Sequence, residues 1–207
     1  MDTFKTLLPS ELSTAEVYDL MVSTIQPRPI AFVSTLDPDG RANLAPFSFF
    51  MPGGANPPSL ALSINLGSAG RRKDTLANIE TTKEFVVNLV VRAMAPGMNQ
   101  TSFSFPAGES EWPASGFTQV PSAAVSPPRV AESPIHYECR LYEIVHHGTE
   151  SGAACYVIGE VVAMHVRSAL WSDHLDPDSI QPLARLGGPM YLDTATLERF
   201  MMERPKG

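Results

Sequence analysis

Cysteine, long apolar runs and positive charge are all scarce in this 207-residue chain, and each scarcity excludes something. Only Cys139 and Cys155 occur, without CxxC spacing, so the expected setting is the cytoplasm with both thiols reduced. They are read as small buried thiols rather than a redox pair. No apolar run approaches the about 18 residues of a membrane-spanning helix. Residues 1–5 lack the basic-then-apolar order of a secretory signal. Fifteen Lys and Arg against 22 Asp and Glu leave a formal charge of −7, which argues against nucleic acid or an anionic membrane as partner. The five histidines, His146 and His147 among them, lack ligand spacing, so no metal site is expected. A GxSxG elbow, a Walker loop and a GxGxxG fingerprint are all missing.

What is present is a normal core and much punctuation. Apolar residues make up 43% of the chain, too many for disorder, and 19 prolines with 14 glycines favour short strands and shaped loops over long helices. Ser13 with Glu16 is a capping box that predicts a helix to about residue 22. Residues 29–37 alternate as a strand, with Ile30, Phe32 and Leu36 on one face and Ala31, Val33 and Thr35 on the other. Asp37-Pro38-Asp39-Gly40 then turns the chain into a second strand over 41–50, with Pro46 demanding an edge or a bulge. Residues 51–58 read as a loop, 59–66 as a strand, 74–82 as a helix capped by Asp74, and 84–91 as a buried strand. Residues 92–134 carry no sustained period; a helix near 93–102 and a long ordered excursion are expected there. Strands over 135–145 and 153–166 follow, then a loop over 176–189 and a terminal helix at about 194–204. The whole, residues 1–207, reads as one domain with its core at about 20–191: mainly β, a small antiparallel barrel with a few short flanking helices.

Two stretches carry chemistry. Gly67-Ser68-Ala69-Gly70 leads into Arg71-Arg72-Lys73 and then Asp74 and Thr75 at a helix start. Unpaired helix N–H groups, a glycine-bearing turn and contiguous cations in an acidic protein suit a phosphate monoester. The same residues also read as a solvated basic loop. The second stretch, Asn43-Leu44-Ala45-Pro46-Phe47-Ser48, is a strand distorted at Pro46. Its unpaired backbone groups can meet the edge of a flat heterocycle, or it is an edge strand whose phenylalanines fill the core.

These stretches, with Arg28-Pro29-Ile30-Ala31-Phe32-Val33-Ser34-Thr35, Lys73-Asp74-Thr75-Leu76-Ala77-Asn78-Ile79, Ile158-Gly159-Glu160-Val161-Val162 and Ala184-Arg185-Leu186-Gly187-Gly188, resemble the flavin reductase-like, FMN-binding split-barrel family. The blocks stand in family order over about residues 25–191. The resemblance implies an antiparallel split barrel and a homodimer with FMN near the subunit interface. It implies that Asn43, Leu44, Ala45, Pro46, Phe47 and Ser48 line the isoalloxazine and ribityl chain. Ser63, Arg71, Lys73, Asp74 and Thr75 would hold the phosphate, and Arg185 with Tyr191 would close over the flavin. Asn88 is read as a brace between strand and loop, and His165 as a strand-end histidine rather than a nicotinamide contact. No residue is assigned as catalytic, because missing nucleophile and acid–base motifs fit chemistry that belongs to a cofactor. The implied activity is hydride transfer from NADH or NADPH to FMN; the alternative is a non-catalytic flavin-binding electron carrier or reservoir.

Overall fold

The computed structural model describes residues 3–106, 108–176 and 179–203. Helix α1 (Thr14–Thr24) opens on the predicted capping box: Glu16 N–H donates to Ser13 Oγ at 3.3 Å, and Ser13 N–H donates to the Glu16 carboxylate at 2.8 Å. The predicted first strand is divided in two, β1 (Arg28–Pro29) and β2 (Ala31–Leu36), with Ile30 between them. The turn that follows is held by Asp37, whose Oδ1 accepts from the N–H of Asp39 and of Arg41, while Gly40 takes φ +81°. Then come β3 (Ala42–Phe47), β4 (Phe50–Ala55), β5 (Pro58–Asn65), α2 (Asp74–Thr82) and β6 (Glu84–Leu89). Residues 51–58 are thus a correction to the sequence reading. Most of them are strand, because β4 lies at a sheet edge where Pro52, Gly53 and Gly54 cost few ladder bonds.

The excursion over 92–134 holds a 3₁₀ turn at Arg92–Met94, α3 (Ala95–Gln100), α4 (Trp112–Ser115) and a small hairpin of β7 (Gln119–Val120) with β8 (Arg129–Val130). Long strands β9 (Ile135–His147) and β10 (Ala154–Val166) follow. The chain ends in β11 (Leu183–Arg185), β12 (Met190–Asp193) and β13 (Glu198–Met201). The supposed loop over 176–189 therefore contains a strand, which β1 recruits through the pairs Arg28↔Arg185 and Pro29↔Ala184. The predicted terminal helix is also corrected: residues 194–197 turn, with Leu197 at φ +58°, and β13 pairs with β12. Packing decides this. Phe200 stacks on Tyr191 at 5.7 Å and Arg92 lies 3.8 Å from the Phe200 ring centre, contacts that a helix would not present together. Residue 204 lies outside the described residues.

Seven strands form one antiparallel sheet in the order β3-β2-β6-β9-β10-β5-β4. Its two edges, β3 and β4, are consecutive in the chain and separated only by Ser48 and Phe49, so the sheet has to curl until its edges meet. Chain continuity and the bond from Ser63 N–H to Phe49 O make the join, rather than a full ladder. The result is a mainly β, antiparallel split barrel. Inside lie Val33, Leu62, Ile64, Phe85, Val87 and Val157, together with both free cysteines. The other face of β2 feeds a second core, where Ile30, Phe32, Leu44, Met98, Trp112 and Tyr191 join the excursion and the smaller sheet β1-β11-β12-β13 to the barrel. Strand β2 is buried on both faces along most of its length.

Candidate functional site

A cavity of about 340 Å³ opens where β3, the loop before α2, the excursion and β11–β12 converge. That volume lies within the range of about 300–1,000 Å³ usual for small-molecule sites. One wall is the strand singled out above: Asn43, Ala45, Pro46, Phe47 and Ser48 all line it. Leu44 does not, since alternation turns its side chain into the second core. Its N–H faces away from the ladder and donates to Glu111 Oε2 at 3.0 Å. The same alternation places Pro46 at an outward position, where its missing donor breaks no ladder bond. It also puts the Ala45 N–H into the pairing with β2, so the outward edge offers carbonyl acceptors at Leu44 and Pro46 instead.

The second wall is the basic loop. Ala69 and Gly70 both take left-handed backbone angles, φ +55° and +72°, which curls the loop into two short turns: Gly70 N–H to Gly67 O and Arg71 N–H to Ser68 O. Arg71 and Lys73 line the cavity, and Lys73 Nζ sits 5.5 Å from the centre of the Phe47 ring. Arg72 points elsewhere and pairs with Glu80 at 2.8 Å. Arg71 has no carboxylate within ion-pair distance among the described residues, so its charge is open to a ligand. Asp74 begins α2 but does not cap it; its Oδ2 accepts from Gly108 N–H at 3.0 Å and so ties the excursion to the loop. Ser63 does not line the cavity, and its hydroxyl bonds Asn65. A Cβ on Gly70 would come within 2.6 Å of the Thr149 carbonyl oxygen. Gly70→Ala is therefore expected to destabilise the protein by about 1–3 kcal/mol through clash and left-handed strain, readable as a lower Tm.

The third wall contains what sequence reading missed. Residues 101–105 and Glu111 come from the excursion, and Phe103 meets Phe105 edge-on at 5.3 Å over the cavity. Glu111 is nearly buried, at 9% exposure, which raises its pKa, and Asp74 adds to the rise. Nothing in the spacing of residues 92–134 marks it. Arg185 and Tyr191 line the fourth side, with the guanidinium 4.4 Å from the tyrosine ring centre. Behind them Arg28 is buried and donates to Val22 O, Ile25 O, Leu186 O and Ser48 Oγ, pinning the end of α1 to the site.

Asn88 and His165 stand apart from the cavity. Asn88 braces, as read: its Nδ2 donates to Phe32 O and its Oδ1 accepts from Val130 N–H. His165 Nε2 lies 2.6 Å from Glu138 Oε1, beside His136. Among the described residues there is no group of three or more His, Cys, Asp and Glu suited to a metal ion, and no helix long and apolar enough to cross a membrane.

Can the cavity take a flavin nucleotide? The acidic chain concentrates Arg71, Lys73 and Arg185 on one hollow, and an edge strand with carbonyl acceptors runs between the basic loop and an aromatic cover. A phosphate and a flat ring bearing an N–H donor match that donor set.

The family model for the flavin reductase like domain matches residues 23–177, which span β3, the basic loop and the excursion. An uncharacterized protein of Halalkalibacterium halodurans is 38% identical over 202 residues, 96% of each chain. The crystal structure of nitrilotriacetate monooxygenase component B from Bacillus cereus is similar with a TM-score of 0.86, at 30% identity and over 100% of both chains. That of Pseudomonas fluorescens 2-nitrobenzoate 2-nitroreductase is similar with a TM-score of 0.82 and 35% identity, covering 97% of this chain and 96% of that one. The chain therefore belongs to the flavin reductase-like domain family, flavin-linked redox proteins built on a split barrel.

Proposed function

We propose that this protein is an NAD(P)H-dependent FMN oxidoreductase, a flavin reductase whose cavity holds FMN. The convergence of an open edge strand and a basic helix-start loop on one hollow is the observation that carries this reading. Arg71, Lys73, Thr75 and the first N–H groups of α2 hold the phosphate. Asn43, Ala45, Pro46, Phe47 and Ser48 lie along the ring system and ribityl chain, with Phe103 and Phe105 excluding water above them and Arg185 closing the side. Bound FMN supplies the hydride-accepting chemistry, and the protein orients it and keeps the site dry.

The protein is proposed to work in the cytoplasm as a homodimer with the flavin near the interface. Two features support this. Both cysteines are free and buried, and α1 buries only Val22 while Tyr18, Leu20 and Met21 on it, and Ile25 just beyond, stay exposed. Arg28 links that exposed helix to Ser48, so a partner seated there would lie close to the cavity.

The test is anaerobic titration of the FMN-reconstituted protein with NADH and with NADPH. Bleaching of the flavin absorbance with at least one of them is expected. A flavin that stays oxidised with both would leave only the electron-carrier or reservoir reading.

A further inference from the structure

We infer that Glu111 sets how firmly the cavity holds the ligand's phosphate, acting through the Asn43 amide on the Thr75 hydroxyl. The inference rests on the phosphate assignment made above. Three side chains stand in line from the excursion to α2. The Glu111 carboxyl faces one end of the Asn43 amide at 3.2 and 3.3 Å; Thr75 Oγ1 at 3.1 Å and the Leu44 N–H at 3.0 Å face the other end, and that N–H also has Glu111 Oε2 as an acceptor. All three are nearly buried, at 9%, 6% and 2% exposure, and all three line the cavity. Water therefore competes little for these bonds.

The amide has two orientations, and the proton on Glu111 selects between them. An ionised carboxylate only accepts, so Asn43 must turn Nδ2 toward it and Oδ1 toward Thr75. In that state the Thr75 hydroxyl donates to Asn43 and shows its lone pairs to the cavity, which repels an anion. A protonated Glu111 can donate to Asn43 Oδ1 instead. Nδ2 then donates to Thr75 Oγ1, and the Thr75 proton is free to point at a phosphate oxygen. Phosphate binding and proton uptake at Glu111 thus favour each other, as linkage requires.

The charges around Glu111 fit this role. Asp74 faces it from α2 and Glu109 precedes it by two residues, while Arg71 and Lys73 line the same cavity from the loop and Arg185 from β11; β3 offers only the neutral Asn43 and the Leu44 N–H. Burial is the largest influence and raises the pKa of Glu111, Leu44 N–H opposes it, and Asp74 raises it further. The switch is thereby raised above the ordinary carboxylate value.

The experiment compares FMN with riboflavin, which lacks the phosphate, in fluorescence titrations from about pH 5 to about pH 8. The phosphate's own second ionisation, near pKa 6, shifts the FMN preference in every variant alike. The quantity to read is therefore the FMN preference of the wild type divided by that of Glu111→Gln. Glutamine keeps an acceptor for Leu44 and offers an N–H to Asn43 Oδ1 at every pH, so the permissive state stays available to it whatever the pH. The quotient is expected to fall as the pH rises, by up to about tenfold, the effect of one lost hydrogen bond. A quotient constant across the range overturns the proposal. Equal affinity for FMN and riboflavin in both proteins at every pH overturns the phosphate assignment and this inference with it. Should Glu111→Gln not fold, Thr75→Val carries the test. Its FMN preference is expected to rise with pH through phosphate ionisation alone, and a profile parallel to the wild type overturns the relay.

Discussion

Replacing Arg71 and Lys73 together by alanine is expected to weaken FMN binding by about 3 kcal/mol, roughly 100-fold, since hydrogen bonds to charged groups contribute about 1.5–3 kcal/mol each and exposure trims that toward its lower end. Both side chains line the cavity beside Thr75, and neither is needed to build the barrel. Fold and Tm should therefore change little. Riboflavin binding should also hold, because that ligand offers no phosphate. Raising the salt concentration should weaken FMN binding by the wild type and leave the double variant nearly unaffected. An Arg72→Ala control should retain FMN, because Arg72 pairs with Glu80 instead of facing the cavity. The check is a fluorescence titration of each variant with both flavins at two ionic strengths. Equal loss of FMN and riboflavin affinity would mean that the loop supports the ring or the fold and does not hold a phosphate.

The second large effect concerns acid. His136 is buried at 6% exposure, with Nδ1 2.8 Å from Asn88 Oδ1, and burial with Arg129 nearby lowers its pKa from 6.5 to about 4. The unfolded chain therefore binds a proton that the folded chain refuses throughout that interval. Stability from this group is full above about pH 6.5 and is lost as pH falls toward 4, by up to about 3 kcal/mol at 1.36 kcal/mol for each pKa unit. Glu138 acts in the same direction. It is fully buried and accepts from the N–H of Ala123 and Ala124 and from His165, and its pKa is lowered in spite of burial, so its contribution also fades in acid. Chemical denaturation of wild type and His136→Gln across this range should show the wild type losing more stability on acidification. Parallel curves would mean that the histidine takes its proton without disturbing the fold.

Much of the barrel was legible because its strands alternate. Ile30 and Phe32 against Ala31 and Val33 sort onto the two cores as the period required, and the capping box at Ser13 and the Asp37 turn formed as local chemistry dictates. The failures have a common cause. Where edge pairing or aromatic stacking outweighs local preference, the pattern in the chain is silent or misleading. Strand β4 carries Pro52, Gly53 and Gly54 because an edge tolerates them, and β13 forms because Phe200 finds Tyr191 and Arg92, although Leu197, Phe200 and Met201 also mark one face of a helix. The basic triplet divides in the fold, with Arg71 and Lys73 lining the cavity and Arg72 paired with Glu80, a division that the contiguous run of cations does not itself reveal. Glu111, Phe103 and Phe105 were invisible because the excursion has no period, and only the tertiary fold brings it over β3. Ser63 shows the reverse: the resemblance implied phosphate contact, while its hydroxyl is occupied by Asn65.

FMN is proposed to lie in this cavity with its phosphate on the loop before α2. A crystal structure of the protein soaked with FMN measures that directly. The predicted result is phosphate density within hydrogen-bond distance of Arg71 and the α2 N–H groups, with the ring system against residues 43–48. Flavin bound elsewhere on the barrel, or turned so that its phosphate faces Arg185 and away from the loop, would contradict it.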